Sequence, residues 1–191
     1  MTGKIYLKQG SNLVPMYNEA YDSEDLLQSL LESHPDLLAG EQMDSGNPRR
    51  WLLVKREARL PDGEDAGDRW AVDHFFLDQE GIPTLVEVKR SSDSRLRREV
   101  VGQMLDYAAN AVAYFPVGRI REAFNETCMK GGAEPNAILA QFLTTDTDLE
   151  PANADLEAWW NHVGSTYRRA RSAWSSSLTS FPPNSSVLLS F

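Results

Sequence analysis

Two apolar runs on either side of a short turn constrain this chain more than any other feature. The first run extends from Trp70 to Leu77 and the second from Thr84 to Val88, and Gln79-Glu80-Gly81 separates them. Aromatic and β-branched runs of this length around a glycine predict two strands joined as an antiparallel hairpin. We therefore expect a β-sheet that contains this hairpin.

Three charged residues give the hairpin a predicted chemistry. Side chains alternate along a strand, so Glu87 and Lys89 point to one face, and the hairpin can bring Asp73 beside that face. Magnesium prefers oxygen ligands and binds one or two carboxylates together with substrate phosphate oxygens. Asp73 and Glu87 therefore predict a magnesium site, in which Lys89 can orient a metal-bound water and stabilise developing phosphate charge. The alternative is a solvated strand face on which Lys89 only pairs with a carboxylate.

A helix is expected after the hairpin, from Arg95 to Ala113. Its apolar residues recur at helical spacing: Leu96, Val100, Val101, Met104, Leu105, Ala108 and Val112. Gln103 and Tyr107 are four residues apart, so both project from one side of this helix. Without the strand motif, this pair would be interpreted as a surface glutamine and a partly buried tyrosine.

Taken together, these motifs resemble the PD-(D/E)XK, or restriction-endonuclease-like, nuclease superfamily. The matching residues are Asp73, Glu87-Val88-Lys89 and Gln103-Met104-Leu105-Asp106-Tyr107, and the resemblance covers roughly residues 20 to 115. The chain is most similar to the branch of NucS-like and other small DNA repair nucleases. That branch also has a glutamate on a helix before the hairpin, a position that Glu24 fits. Val72 stands where the family has a proline before the first aspartate.

The resemblance implies an enzyme that uses Mg²⁺ or Mn²⁺ to hydrolyse DNA phosphodiester bonds in repair, recombination or defence. Asp73 and Glu87 would bind the metal, with the Val88 carbonyl as a further ligand. Lys89 would assist the attacking water, and Glu24 would add another carboxylate.

The implied fold is α/β, with a central mixed β-sheet flanked by helices as in restriction endonucleases. Gln103 and Tyr107 would hold the substrate strand or neighbouring active-site residues.

Charge distribution supports a DNA partner locally rather than globally. The net charge of −9 argues against indiscriminate DNA binding, because phosphate affinity comes from clustered Lys and Arg. Beside the proposed metal site, however, one acid (Asp93) stands among five basic residues: Lys89, Arg90, Arg95, Arg97 and Arg98. Such a cluster suits a scissile phosphate, and a solvated helix start is the alternative. A homodimer is also considered, although the sequence does not define the oligomeric state.

Length and composition indicate one globular domain of 191 residues in a reducing, cytoplasmic setting. The single cysteine, Cys128, excludes an internal disulfide and is expected in the core. No membrane span or signal peptide is indicated. Further predicted elements are an edge strand or arm within 1–21, a strand at 51–59, and helices at 22–38, 117–128, 135–143 and 153–163.

The last segment, residues 165–191, departs from the nuclease-like domain at 1–164. It is rich in serine, lacks acids and shows no evident helical or alternating period, so disorder is one explanation. A frameshift is another, because a shifted reading frame permits an apolar strand and a helix like the family's usual C-terminal end. In that case the core would lack its usual C-terminal strand.

Two further functions remain open from the sequence. One is a nucleic-acid-binding module of the same fold without turnover. The other is an acidic protein-interaction or inhibitor protein that meets a basic partner.

Overall fold

A computed structural model describes residues 5–17, 23–38, 40–43, 45–61, 68–88, 116–145 and 150–177 of the chain. The strands are β1 (Ile5–Gln9), β2 (Asn12–Met16), β3 (Trp51–Pro61), β4 (Asp68–Asp78) and β5 (Pro83–Val86). The α-helices are α1 (Glu24–Ser33), α2 (Gly40–Met43), α3 (Val117–Lys130), α4 (Pro135–Thr144) and α5 (Leu156–Ser177). Short 3₁₀ turns follow α1 at Pro35–Leu37 and precede α5 at Pro151–Asn153.

The described strands form two antiparallel sheets, β1-β2 and β3-β4-β5. The predicted hairpin is confirmed as β4 and β5, and the α/β class is confirmed with it. A mixed sheet would need a parallel neighbour, and every strand pair in the described ranges is antiparallel. The restriction-endonuclease-like arrangement therefore stays a prediction.

The core lies between the β3-β4-β5 sheet and the C-terminal helices. Phe75 and Leu77 of β4 pack in one cluster with Ile120 and Phe124 of α3 and with residues of α5. The α5 residues in this cluster are Trp159, Trp160, Val163 and Tyr167. Cys128 is also buried there, as predicted. Burial of these large apolar side chains is the main stabilisation of the sheet against the helices.

The turn between β4 and β5 is fixed by a buried aspartate and by α5. Asp78 Oδ1 accepts hydrogen bonds from the Glu80 and Ile82 amides at 2.9 and 2.8 Å, and Oδ2 pairs with Arg49. Trp159 Nε1 donates to the Gln79 carbonyl at 3.1 Å. The hairpin is thus held at its closed end, while Asp73 and Glu87 lie toward the other end.

Helix α5 corrects one interpretation of the sequence. The helix continues through residue 165 to Ser177, and Tyr167 is buried, so the expectation of no helical period is wrong for 165–177. Residues 178–191 lie outside the described residues, and the reading-frame hypothesis stays a prediction. None of the helices in the described ranges is both long and apolar enough to span a membrane.

Replacing Gly81 by Ala should destabilise the fold. Gly81 has φ of +70°, and an added Cβ would stand 2.7 Å from Val163 Cγ2. The left-handed backbone alone costs about 1–2 kcal/mol for a residue with a Cβ, and the close contact adds to that cost. Urea unfolding of the full chain measures the loss of stability.

Gly132→Ala is the matched control, because Gly132 has φ of +72° with nothing within 4 Å of the added Cβ. Gly81→Ala should therefore lose more stability than Gly132→Ala. In the Val163→Ala background, which lacks the contacting methyl group, Gly81→Ala should cost less than it does in the parent chain. Equal losses would show that α5 does not press on this turn.

Candidate functional site

Asp73 is hydrogen-bonded to the segment that carries Glu87. The Val88 amide donates to Asp73 Oδ2 at 2.6 Å. The register of β4 and β5 ends with His74 opposite Val86, so Asp73 and Glu87 are the next residue of each chain segment beyond the last pair. The two carboxylates that the sequence singled out therefore come from adjacent backbone positions.

The oxygens of this pair differ in their surroundings. Asp73 Oδ2 is occupied by the Val88 amide, whereas Asp73 Oδ1 accepts no hydrogen bond from the described residues. Glu87 is half-buried, and its Oε2 atom is shielded from solvent. A carboxylate oxygen in such a place is costly to desolvate unless a cation or a donor is close by.

Glu24 lies at the start of α1, which contacts the sheet through Arg56 and His74, on the face opposite to the one that strand alternation gives the Asp73 side chain. The Ser23 hydroxyl caps α1 by accepting a hydrogen bond from the Leu26 amide at 3.1 Å. His74 Nε2 donates to the Gln28 carbonyl at 2.9 Å, and Trp51 Nε1 donates to the Leu38 carbonyl at 2.9 Å. These bonds tie α1 to the sheet.

The two bonds also define the direction of α1. Because Trp51 pairs with Asp78, the C-terminal side of α1 lies at the end of β4 that carries Asp78. Glu24, one helical turn before Gln28, therefore lies toward the Asp73 end of β4.

His74 is fully buried next to Asp73 in the chain, and its contacts are with the fold. Burial lowers the pKa of the His74 imidazole, while its bond to the Gln28 carbonyl and the nearby Asp73 charge oppose that shift. His74 also stacks on Phe76, with ring centroids 5.6 Å apart. A neutral imidazole at pH 7 is the state that such an environment favours.

Several predicted site residues fall outside the described residues: Lys89, Arg90, Arg95, Arg97, Arg98, Gln103 and Tyr107. The helix expected from 95 to 113 lies there as well. Their roles stay predictions from the sequence. The structure brings together Asp73 and the Glu87-Val88 peptide and places Glu24 on the neighbouring helix.

The described donor set is compatible with magnesium. In the described ranges no group of three His, Cys, Asp or Glu side chains is arranged to hold a metal ion. Magnesium needs fewer, because it binds through one or two carboxylates and keeps waters and substrate oxygens as its other ligands. Asp73, Glu87 and the Val88 carbonyl would provide hard oxygen ligands of this kind.

A charged cleft between β3 and α3 lies next to the site and was not predicted from the sequence. Glu57, Arg59 and Arg119 line it. The backbone of β3 is unusual at this cleft, because Glu57 has φ of 51°, and the sequence does not predict that angle. Arg59 and Arg119 are 60 residues apart, so no local motif joins them.

Comparisons with protein-family models, with curated proteins and with solved structures found no match to this chain.

Replacing Asp73 should affect stability in a way that depends on the substituent. Asp73→Ala removes the acceptor of the Val88 amide, and an unsatisfied, partly buried donor costs about 1–3 kcal/mol. Asp73→Asn keeps an acceptor oxygen and should lose less. Thermal unfolding of both variants in metal-free buffer gives the comparison. If Asp73→Ala is as stable as the parent chain, the hydrogen bond from the Val88 amide to Asp73 does not stabilise the fold.

Proposed function

We propose that this chain is a metal-dependent nuclease that hydrolyses DNA phosphodiester bonds. The observation that carries the proposal is the hydrogen bond from the Val88 amide to Asp73, next to the last pair of the hairpin register, His74 with Val86. Two acids that are 14 positions apart in sequence are thereby adjacent on one hairpin. This is the pairing that the resemblance to PD-(D/E)XK nucleases requires.

Each residue has a distinct role in the proposed reaction. Asp73 and Glu87 would hold Mg²⁺ or Mn²⁺ with the Val88 carbonyl, and the metal would supply activation of a water and compensation of phosphate charge. Lys89 orients the attacking water and stabilises the negative charge that develops on the phosphate. Glu24 supplies an additional carboxylate from α1.

Substrate binding in the proposal uses the segment that follows the hairpin. Gln103 and Tyr107 hold the DNA strand or the neighbouring active-site residues. The basic residues Arg90, Arg95, Arg97 and Arg98 bind its phosphates, because guanidinium groups match phosphate geometry in bidentate fashion.

Removing either carboxylate should abolish cleavage without unfolding the chain. We expect Asp73→Asn and Glu87→Gln to lose at least about 100-fold in cleavage rate, since even outer partners of metal ligands cost 10- to 100-fold. The assay uses single-stranded, duplex and branched DNA with Mg²⁺, with Mn²⁺ and with EDTA. Glu150→Gln is the control, because Glu150 is exposed and its side chain makes no capping bond.

Three outcomes separate the candidate functions. Cleavage by the parent chain and by Glu150→Gln, but not by the site variants, supports the nuclease. DNA binding without cleavage in either metal identifies a non-catalytic binding module. Absence of DNA affinity at low salt points to the acidic interaction protein.

Metal binding should also be visible without DNA. A ligand that binds only the folded state stabilises it by about 2.7 kcal/mol at 100 times its dissociation constant. Mg²⁺ or Mn²⁺ should therefore raise the unfolding temperature of the parent chain and of Glu150→Gln, and should leave that of Glu87→Gln unchanged. An equal rise in Glu87→Gln would place the metal elsewhere.

A further inference from the structure

A charged cleft opens between β3 and α3, one strand away from Asp73. Its volume is about 220 Å³. The lining residues are Lys55, Glu57, Ala58 and Arg59 of β3 and Arg119, Glu122, Ala123 and Glu126 of α3. The β3-β4 register pairs Arg56 with His74 and Ala58 with Val72, so Glu57 and Asp73 both lie between these two pairs. The cleft and the proposed metal site are therefore cross-strand neighbours.

Arg59 and Arg119 are the two cations of this cleft that form no salt bridge with the described residues, although Arg119 lies close enough to Glu126 to lower the pKa of that carboxyl. Lys55 Nζ pairs with Glu126 Oε2 at 2.9 Å, which leaves Arg59 and Arg119 as the remaining positive groups. Neither guanidinium forms a hydrogen bond or salt bridge with the described residues, and both side chains are exposed. The nearby arginines behave differently, since Arg49, Arg50 and Arg56 each donate to carboxylate or carbonyl oxygens of the fold.

Glu57 adds an unusual backbone conformation at the same place. Its φ of 51° lies in the left-handed region although it stands within β3, and it is the one such non-glycine residue in the described part of the chain. Strained residues of this kind persist where surrounding structure imposes them, and they concentrate at functional sites. At Glu57 the strained backbone accompanies a carboxylate that lines the cleft.

We infer that this cleft binds one nucleotide of the DNA strand that enters the candidate site. The phosphate binds Arg59 and Arg119, and an amino group of the base donates to Glu57 or Glu122. The inference rests on the proposed nuclease function, because it extends the path of the DNA strand by one nucleotide beyond the metal.

The mixed charge of the cleft favours a nucleotide over a simple anion. Two guanidiniums suit a phosphate, but Glu57 and Glu122 would repel an anion that filled the whole cleft. A nucleotide has a phosphate for the guanidiniums and a base for the carboxylates. Cytosine N4 and adenine N6 are amino groups that donate hydrogen bonds to carboxylates. Thymine lacks such a group, and carbonyl oxygens flank its ring N–H. The cleft should therefore prefer cytosine to thymine.

The first test measures binding without any cleavage. Fluorescein-labelled single-stranded oligo-dC is titrated with the full chain in EDTA at several KCl concentrations, and anisotropy gives Kd. The double variant Arg59→Gln, Arg119→Gln should bind about 10-fold more weakly. Its salt dependence should fall by about 0.7 in log–log slope, as expected for one lost phosphate contact to a single strand.

Arg169→Gln is the matched control, because Arg169 is an exposed arginine on α5 away from the cleft. It should change Kd less than 2-fold by loss of general charge alone. Circular dichroism and the unfolding temperature verify that each variant is folded. Since Arg59 and Arg119 are exposed, the single variants provide the same measurement with smaller expected changes.

The second test examines the base. The parent chain should bind oligo-dC about 5- to 10-fold more tightly than oligo-dT, as expected for one good contact between a carboxylate and a base amino group. Glu122→Gln and Glu57→Gln, singly and together, should reduce this ratio, and the double variant should bring it close to one. A parent chain without base preference would overturn the assignment of the carboxylates.

Failure of this inference can be distinguished from failure of the proposed function. A chain that cleaves DNA, but whose affinity is the same in the double arginine variant and in Arg169→Gln, has a nuclease site and only a solvated cleft. A chain that binds DNA through Arg59 and Arg119 without metal-dependent cleavage keeps the cleft and loses the nuclease. Absence of binding in EDTA overturns the cleft, and absence of cleavage in both metals as well overturns the nuclease.

Discussion

The buried carboxylate of Asp78 is the interaction on which the rest of the site depends. It accepts two backbone amides and the Arg49 guanidinium, and so closes the turn from β4 to β5. Burial raises the pKa of this carboxyl, and the bonds from Ile82, Arg49 and Glu80 oppose the rise. A carboxylate with these donors fixes where β5 begins. Because strand side chains alternate, a slip of one residue at this turn would move Glu87 to the opposite face from Asp73.

Two sets of contacts hold the hairpin, one at its turn and one against α1. Trp159 and the close approach of Val163 to Gly81 hold the turn against α5. On the other side, Arg56 bonds to Asp25, Ser29 and Glu32 of α1, and His74 bonds to Gln28. Since sites on strands hold their geometry better than sites on loops, this bracing suits the two carboxylates that share one cation in the proposed mechanism.

Much of the sheet was predictable from local pattern, whereas its long-range contacts were not. The β4-β5 hairpin follows from the aromatic and β-branched runs around Gly81, and the strand predicted at 51–59 and the helices predicted at 117–128 and 135–143 are present within a few residues of those bounds. The helix past residue 165 was missed because its serine-rich composition hides the pattern, while packing of Tyr167 in the core supports helix there. Tertiary burial overrides weak propensity in such a segment.

Part of the candidate site was also predictable from local sequence, and part of it was not. Asp73 and Glu87 were recognisable because acids within apolar strands are rare and their spacing resembles a known motif. The bond between Asp73 and the Val88 amide needed coordinates, since sequence does not state register.

Arg59 and Arg119 were beyond sequence reasoning because they belong to different elements and meet only in the folded chain. In a chain with net charge −9, cations are scarce, and internal carboxylates are expected to pair with them. Because these two guanidiniums form no salt bridge with the described residues, we propose an external phosphate as their partner.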